Sequence, residues 1–209
     1  MSRSKGARNE DYARKRAVLL AKLRQRLRKL GPPASMRELA ASAQVSVPTL
    51  RHYFGDRSGV VRAVMEDELA DGGRAGGPLE IAATPDGDLA SSIRSLLAHA
   101  DAGFVHGGLT ESHAAGLAEG LREEELGAGY LRLALDPTID AFAERLSRHQ
   151  EAGELRADVD VRAAAIQLLA PLVFARLHQD RLGGKNSAPI DIARMLEQHA
   201  ETFVRGHRA

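Results

Sequence analysis

Apolar residues in this chain recur at intervals of three and four, and no alternation of period two persists, which predicts helices that each bury one stripe. Leu19, Leu23, Leu27 and Leu30 form such a stripe over 10–30, Arg and Lys cover the other faces, and Gly31, Pro32 and Pro33 end the helix. Ser35 and Glu38, three apart, make a capping box for a second helix over 36–43 with Met36, Leu39 and Ala40 inward. Ser46 caps a third over 47–54, where Pro48 is tolerated in the first turn and Leu50 and Phe54 point inward. A fourth spans 58–70, its apolar side being Val60, Val61, Val64, Met65 and Leu69.

Between Asp71 and Gly87 the residues Gly72, Gly73, Gly76, Gly77, Pro78 and Pro85 are turn chemistry and predict a linker. Helices follow over 88–104, 109–120, 122–152, 160–180 and 190–207. The third of these should break or kink near Gly127, Gly129 or Pro137, and Pro171 should kink the fourth. The expected organisation is a basic arm at 1–9, a head at 10–70, a linker at 71–87 and a helical body at 88–209. Ala163 to Leu177 is apolar on most faces, so it should face a second subunit as well as a core.

Of 209 residues 44% are apolar, enough for real cores, and none is cysteine, which excludes disulfide frameworks, thiolate metal sites and cysteine nucleophiles. The longest unbroken apolar run, Leu168 to Ala175, falls short of the roughly 20 residues that span a bilayer, so the expectation is a cytoplasmic protein without a membrane partner. The net charge of +1 hides a segregation: residues 1–60 carry 14 Lys/Arg against 4 Asp/Glu, and the remainder 15 against 24. A basic head attracts phosphate through counterion release, while an acidic body is repelled by it.

Two short helices joined by a tight turn, the second with polar and basic groups outward, fit one helix into a major groove. Here Val47, Thr49, Arg51, His52 and Tyr53 are available on the outer face of 47–54, with Ser46 and Pro48 at its start. Thr49 can bond phosphate or touch a thymine methyl, Arg51 can bond guanine bidentately, and His52 and Tyr53 can hold phosphate or stack at the groove edge.

The run SMRELAASAQVSVPTLRHYFGDRSGVVRAV, residues 35–64, resembles the DNA-binding signature of the tetracycline-repressor (TetR) family, and the likeness extends over roughly 10–70. Residues 153–177, GELRADVDVRAAAIQLLAPLVFARL, resemble that family's penultimate helix and its lead-in. The resemblance implies an all-α fold: an N-terminal three-helix helix-turn-helix DNA-binding domain and a C-terminal helical ligand-binding and dimerisation domain. It implies that Thr49, His52 and Tyr53 contact DNA, that Arg57 grips a phosphate, and that Ser35 and Arg37 do likewise at a helix start. Tyr53 stands where histidine is common and Arg51 where an aromatic is common. Gln44 stands where the turn usually has glycine, and a left-handed backbone there would cost roughly 1 kcal/mol.

The resemblance further implies a homodimer built on the last two long helices. Leu168, Leu169, Leu172, Val173 and Leu177 on one, and Met195, His199 and Phe203 on the other, are the candidate interface, with an intramolecular core competing for the same residues. Phe104, His106, His113, Tyr130, Leu133 and Phe174 are candidates for a pocket that takes a small, largely apolar effector. Such a dimer would hold a palindromic operator with its two recognition helices about 34 Å apart, and an effector favouring another spacing would release it.

The rival of the same class is an architectural DNA-binding dimer without a ligand. An enzyme is disfavoured, since His-Glu-x-x-His, Gly-x-Ser-x-Gly and the dinucleotide glycine fingerprint are absent, and no cofactor is expected. Gly183 to Ser187 lacks phosphate-loop spacing and reads as a helix connection. His99, His106 and His113 are evenly spaced, but Gly103, Gly107 and Gly108 would break their alignment, so no metal is expected.

Overall fold

The computed structural model describes residues 5–28, 34–69 and 76–209, and among these no β-strand occurs. In chain order the helices are α1 (Lys5–Leu27), α2 (Met36–Ala43), α3 (Val47–Phe54), α4 (Arg57–Leu69), α5 (Pro78–Ala83), α6 (Leu89–His106), α7 (Leu109–Gly120), α8 (Glu124–Tyr130), α9 (Asp136–Glu151), α10 (Val161–Asp180), α11 (Gly184–Ser187) and α12 (Ile192–His207). A π-helical turn, Leu131–Leu135, joins α8 to α9. The expected break in 122–152 is therefore this turn, and Pro137, which has no N–H to donate, sits just beyond it in the first turn of α9.

The chain divides into two compact units, residues 1–69 with 115–130, and residues 70–114 with 131–209. The first unit gathers α1 to α4, the end of α7 and α8. Its core joins Leu19, Leu20 and Leu23 of α1 to Leu39, Ala40 and Ala43, to Leu50 and Phe54, and to Val60, Ala63 and Val64. Leu27 packs on its edge, while Leu30 and the expected stop at 31–33 lie outside the described residues. α1 starts at Lys5, inside the expected arm.

α8 packs on α4. The end of α7 meets α8 closely, since a Cβ on Gly120 would stand 2.9 Å from Gly127 Cα. The inclusion of 115–130 in the head is a finding that the division at 71–87 did not anticipate.

In the second unit, the core draws on α5, α6, α9, α10 and α12, with Ile93, Leu96, Leu97, Phe142, Leu146 and Leu168 among its most deeply buried members. The expected linker holds α5, for which Arg145 gives the reason. This arginine is 2% exposed, and its guanidinium donates to the carbonyls of Ile81 and Ala82 at 2.7 Å each and to Asp86 Oδ1 at 2.8 Å. A buried cation is tolerable only when paired and hydrogen-bonded, and here it caps the last carbonyls of α5 and fixes that helix to α9. The rest of the expected linker, 71–75, lies outside the described residues.

α10 continues as one helix through Pro171. By length and composition alone it is apolar enough to cross a membrane, but its inner face packs on α9, α12 and α6. Leu168, Leu169, Leu172 and Phe203, expected at a subunit interface, are instead buried in this unit's own core. Each fully buried leucine there adds about 2 kcal/mol of burial energy, so these side chains belong to intramolecular packing. Val173 and Met195 border the same core half-buried, and Leu177 and His199 are half-buried as well. His199 Nε2 lies 3.1 Å from the Leu168 carbonyl.

Candidate DNA-binding surface

The recognition surface is set by how α2 and α3 are capped. Glu38 accepts the Ser35 N–H at 2.7 Å, and the Glu38 N–H donates to Ser35 Oγ at 3.3 Å, which completes the capping box. Those bonds hold the exposed Glu38 carboxyl below its ordinary range. They also place a carboxylate at the start of α2, so Ser35's donors are committed within the chain. Arg37 beside it is exposed.

At the other end of α2 the Val45 N–H bonds the Ala40 carbonyl and the Gln44 N–H bonds the Ala41 carbonyl, both at 3.0 Å. This is a Schellman closure, and it puts Gln44 in the left-handed region at φ 60°, ψ 41°. The turn therefore keeps the geometry glycine would favour, with glutamine in its place.

Ser46 then starts α3, accepting the Thr49 N–H at 3.2 Å while its hydroxyl meets Thr49 Oγ1 at 2.8 Å. Leu50 and Phe54 anchor α3 in the core. The opposite side is open: Ser46, Pro48, Arg51 and His52 are exposed, and Val47, Thr49 and Tyr53 are half-buried. Gly55 ends the helix at φ 78°, ψ −106°, a conformation only glycine adopts readily. All residues expected to contact DNA thus lie within one unit on three consecutive elements; on α3, Pro48, Arg51 and His52 face solvent, whereas Val47 and Tyr53 pack against the edge of the head's core.

Arg57 is the exception in its bonding. Its Nε donates to the Ala34 carbonyl at 2.9 Å and its Nη2 to Glu119 Oε1 at 2.5 Å. The Glu119 side chain is largely buried, and its Oε2 has no hydrogen-bond partner among the described residues. Arg62 meets Glu125 at 2.5 Å, and Ser58 donates to Glu123. The acidic segment from Glu119 to Glu125 therefore clips the first turns of α4, a role sequence reasoning missed. The available signal was the run of four glutamates within seven residues.

Two further α1 groups went unforeseen: Lys22, which donates to Gln44, and Tyr12, whose ring stacks on Tyr53.

Of the expected pocket residues, Phe104 and His113 are brought together in the second unit, both buried, their rings stacked with centroids 5.2 Å apart. Burial lowers the His113 pKa to about 4, so it is neutral near pH 7. His106 is exposed and Leu133 half-buried on the π turn. Tyr130 belongs to the first unit, where its ring lies over Gly116, and burial pushes its hydroxyl well above the ordinary value. Phe174 is 64% exposed, so its ring lines no interior of its own unit. His99 is half-buried, and among the described residues no group of three or more potential metal ligands occurs.

Residues 83–184 match the family model for the tetracyclin repressor-like C-terminal domain. That stretch is a TetR-type C-terminal domain. TetR regulators are helix-turn-helix transcription regulators and not enzymes. Solved structures of this TetR-family fold align along nearly the whole chain. A TetR transcriptional regulator from Agrobacterium tumefaciens is 21% identical with a TM-score of 0.61, covering 94% of this chain and 95% of its own. SmeT, the repressor of the Stenotrophomonas maltophilia multidrug efflux pump SmeDEF, is 18% identical with a TM-score of 0.61, covering 93% and 90%. The flavonoid-responsive regulator FrrA is 21% identical with a TM-score of 0.62, covering 94% and 98%. None of the curated proteins matches at a significant level.

Proposed function

We propose that this chain is a TetR-family regulator, a cytoplasmic homodimeric repressor that holds a palindromic operator through α3 and is released by a small, largely apolar effector. The observation that carries the reading is the doubly capped helix-turn-helix, whose second helix buries Leu50 and Phe54 and leaves Arg51 and His52 exposed. Arg51 supplies base readout, and Thr49, His52, Tyr53 and Arg37 position the helix on the backbone, with Val47 and Pro48 at the groove wall. Ser35 and Ser46 act through their caps.

Dimerisation uses the outer face of α10, where Ile166, Ala170 and Phe174 are exposed four residues apart, bordered by Val173 and Leu177. The effector half of the reading is supported by the buried Phe104–His113 stack, which offers one flat apolar wall and one neutral imidazole. It is also supported by the naming of one neighbour as a repressor and another as flavonoid-responsive. The effector shifts the population toward a dimer with the wrong spacing between heads.

The test is selection of bound sites from random duplex DNA, followed by binding across salt concentrations with a panel of small hydrophobic compounds. A palindromic consensus, a steep salt dependence and release by at least one compound are expected. Binding that no compound weakens would favour the architectural dimer instead.

A further inference from the structure

We infer that Tyr12, on α1, is a positioning residue for DNA recognition, which holds Tyr53 and His52 in the orientation they present to the duplex. The inference rests on the reading of α3 as the recognition helix. The Tyr12 ring stacks on Tyr53 with centroids 4.7 Å apart and planes 27° apart, and meets His52 edge-on at 5.9 Å and 83°. His52 and Tyr53 are themselves edge-to-face at 5.2 Å. Offset stacked and edge-to-face pairs are the favoured aromatic arrangements, so each ring restricts the rotamers of the other two.

Tyr12 itself is 39% exposed and belongs to neither hydrophobic core. Tyr12 stands seven residues before Leu19 and so continues the face of α1 that packs on the head's core, but beyond the core's edge, where its ring stays partly exposed with one face against Tyr53. Asp11 accepts from Arg14 and Lys15 at 2.9 Å each, which fixes the helical turn that carries Tyr12.

Beside the stack, α1 and α3 border an open groove of about 350 Å³ lined by Arg14, Lys15, Lys22, Gln44, Thr49 and Tyr53. Tyr53 therefore has α1's ring on one side and, on another, a groove whose lining is largely apolar, through Val18, Leu19 and Val45, and which also carries Arg14, Lys15 and Lys22. A side chain held so loses little rotamer entropy when it meets a phosphate or a base edge, and affinity rises by that saving.

The experiment compares the full-length protein with Tyr12→Phe, Tyr12→Leu and Tyr12→Ala. Operator affinity, salt slope and the selected base preference are measured, together with the Tyr53 ring resonances in the free protein. Tyr12→Ala should bind roughly threefold to tenfold more weakly with an unchanged salt slope, since no charge is removed. Its selected consensus should be degenerate at the bases Arg51 reads, since a helix held loosely on the backbone aims that guanidinium less sharply, and the part of the Tyr53 ring-current shift that Tyr12 imposes should disappear. Tyr12→Phe keeps the stacked ring and should restore all of these; Tyr12→Leu, which restores apolar bulk but no flat face, should not.

Equal behaviour of the leucine and phenylalanine variants would reduce Tyr12 to packing and overturn the inference. So would an alanine variant with wild-type affinity and consensus. Wild-type protein that ignores every duplex would overturn the DNA reading itself. In that case the Tyr53 resonances still report whether the stack orders the ring.

Discussion

The Lys22 ammonium donates to Gln44 Oε1 at 2.7 Å and to the Ala43 carbonyl at 3.3 Å, which brings α1 across the turn of the helix-turn-helix. Gln44 occupies a left-handed backbone that costs a residue with a Cβ roughly 1 kcal/mol, and the lysine bridge offsets only part of it because the glutamine is exposed. Gln44→Gly should therefore raise the unfolding free energy by about 0.5–1 kcal/mol in urea titration. A loss of stability would mean that the Lys22 bridge outweighs the strain.

Gly59 tests the junction between α3 and α4. A Cβ there would stand 1.9 Å from the Phe54 carbonyl oxygen, and the Gly59 N–H also donates to Asp56 Oδ1 at 2.8 Å. Neither backbone can yield without displacing Phe54 from the core. Gly59→Ala should cost roughly 3 kcal/mol or more and weaken every duplex complex. Gly206→Ala, in open space on α12, should instead gain roughly 0.5–1 kcal/mol by helix propensity. The opposite signs, read by thermal unfolding, separate a steric clash from a general intolerance of alanine.

Arg57 and Glu119 set up a competition between protein and DNA for one guanidinium. The carboxylate is largely buried and held on one oxygen only, so Glu119→Gln should keep the shape while weakening the hold. More Arg57 then becomes available to phosphate. Binding to all sequences should tighten alike, and the slope of log affinity against log salt should steepen by about 1. An unchanged slope in filter binding would show that Arg57 stays on Glu119 in the complex. Arg51→Ala should act differently, relaxing base choice at about 1–3 kcal/mol per contacted pair.

These residues also mark where the sequence is informative. The α2 and α3 caps were legible because Ser35, Glu38 and Ser46 act on backbone within three residues of themselves. The π turn was half-legible, since Pro137 announces a missing donor but not how the chain accommodates it. α5 was hidden, because the arginine that stabilises it lies some sixty residues away and nothing local distinguishes Arg145 from a surface arginine. The same blindness left Leu168 and Phe203 open between a subunit interface and the chain's own core, because periodicity marks an apolar face but not whether its partner is the same chain or a second one. The Tyr12–Tyr53 stack was half-legible: Tyr12, seven residues before Leu19, extends the apolar stripe of α1, but spacing does not say which ring it meets.

His113 gives the stability of the second unit a pH dependence. Its pKa falls from 6.5 to about 4 because burial against Phe104 disfavours the imidazolium. In the unfolded chain the ring protonates near 6.5, so between pH 6.5 and 4 the unfolded state binds the extra proton. Stability attributable to this group is full above pH 6.5, declines as pH falls through that window, and is lost below about 4. At about 1.4 kcal/mol per unit the loss amounts to about 3 kcal/mol. His113→Phe keeps a flat ring on Phe104 and removes the titration. The difference in unfolding free energy between the wild type and this variant should therefore change by about that amount from pH 7 to pH 4, and stay constant from pH 7 to pH 8. Parallel curves across pH 4–7 would show that the ring is already protonated in the folded protein or reached by water.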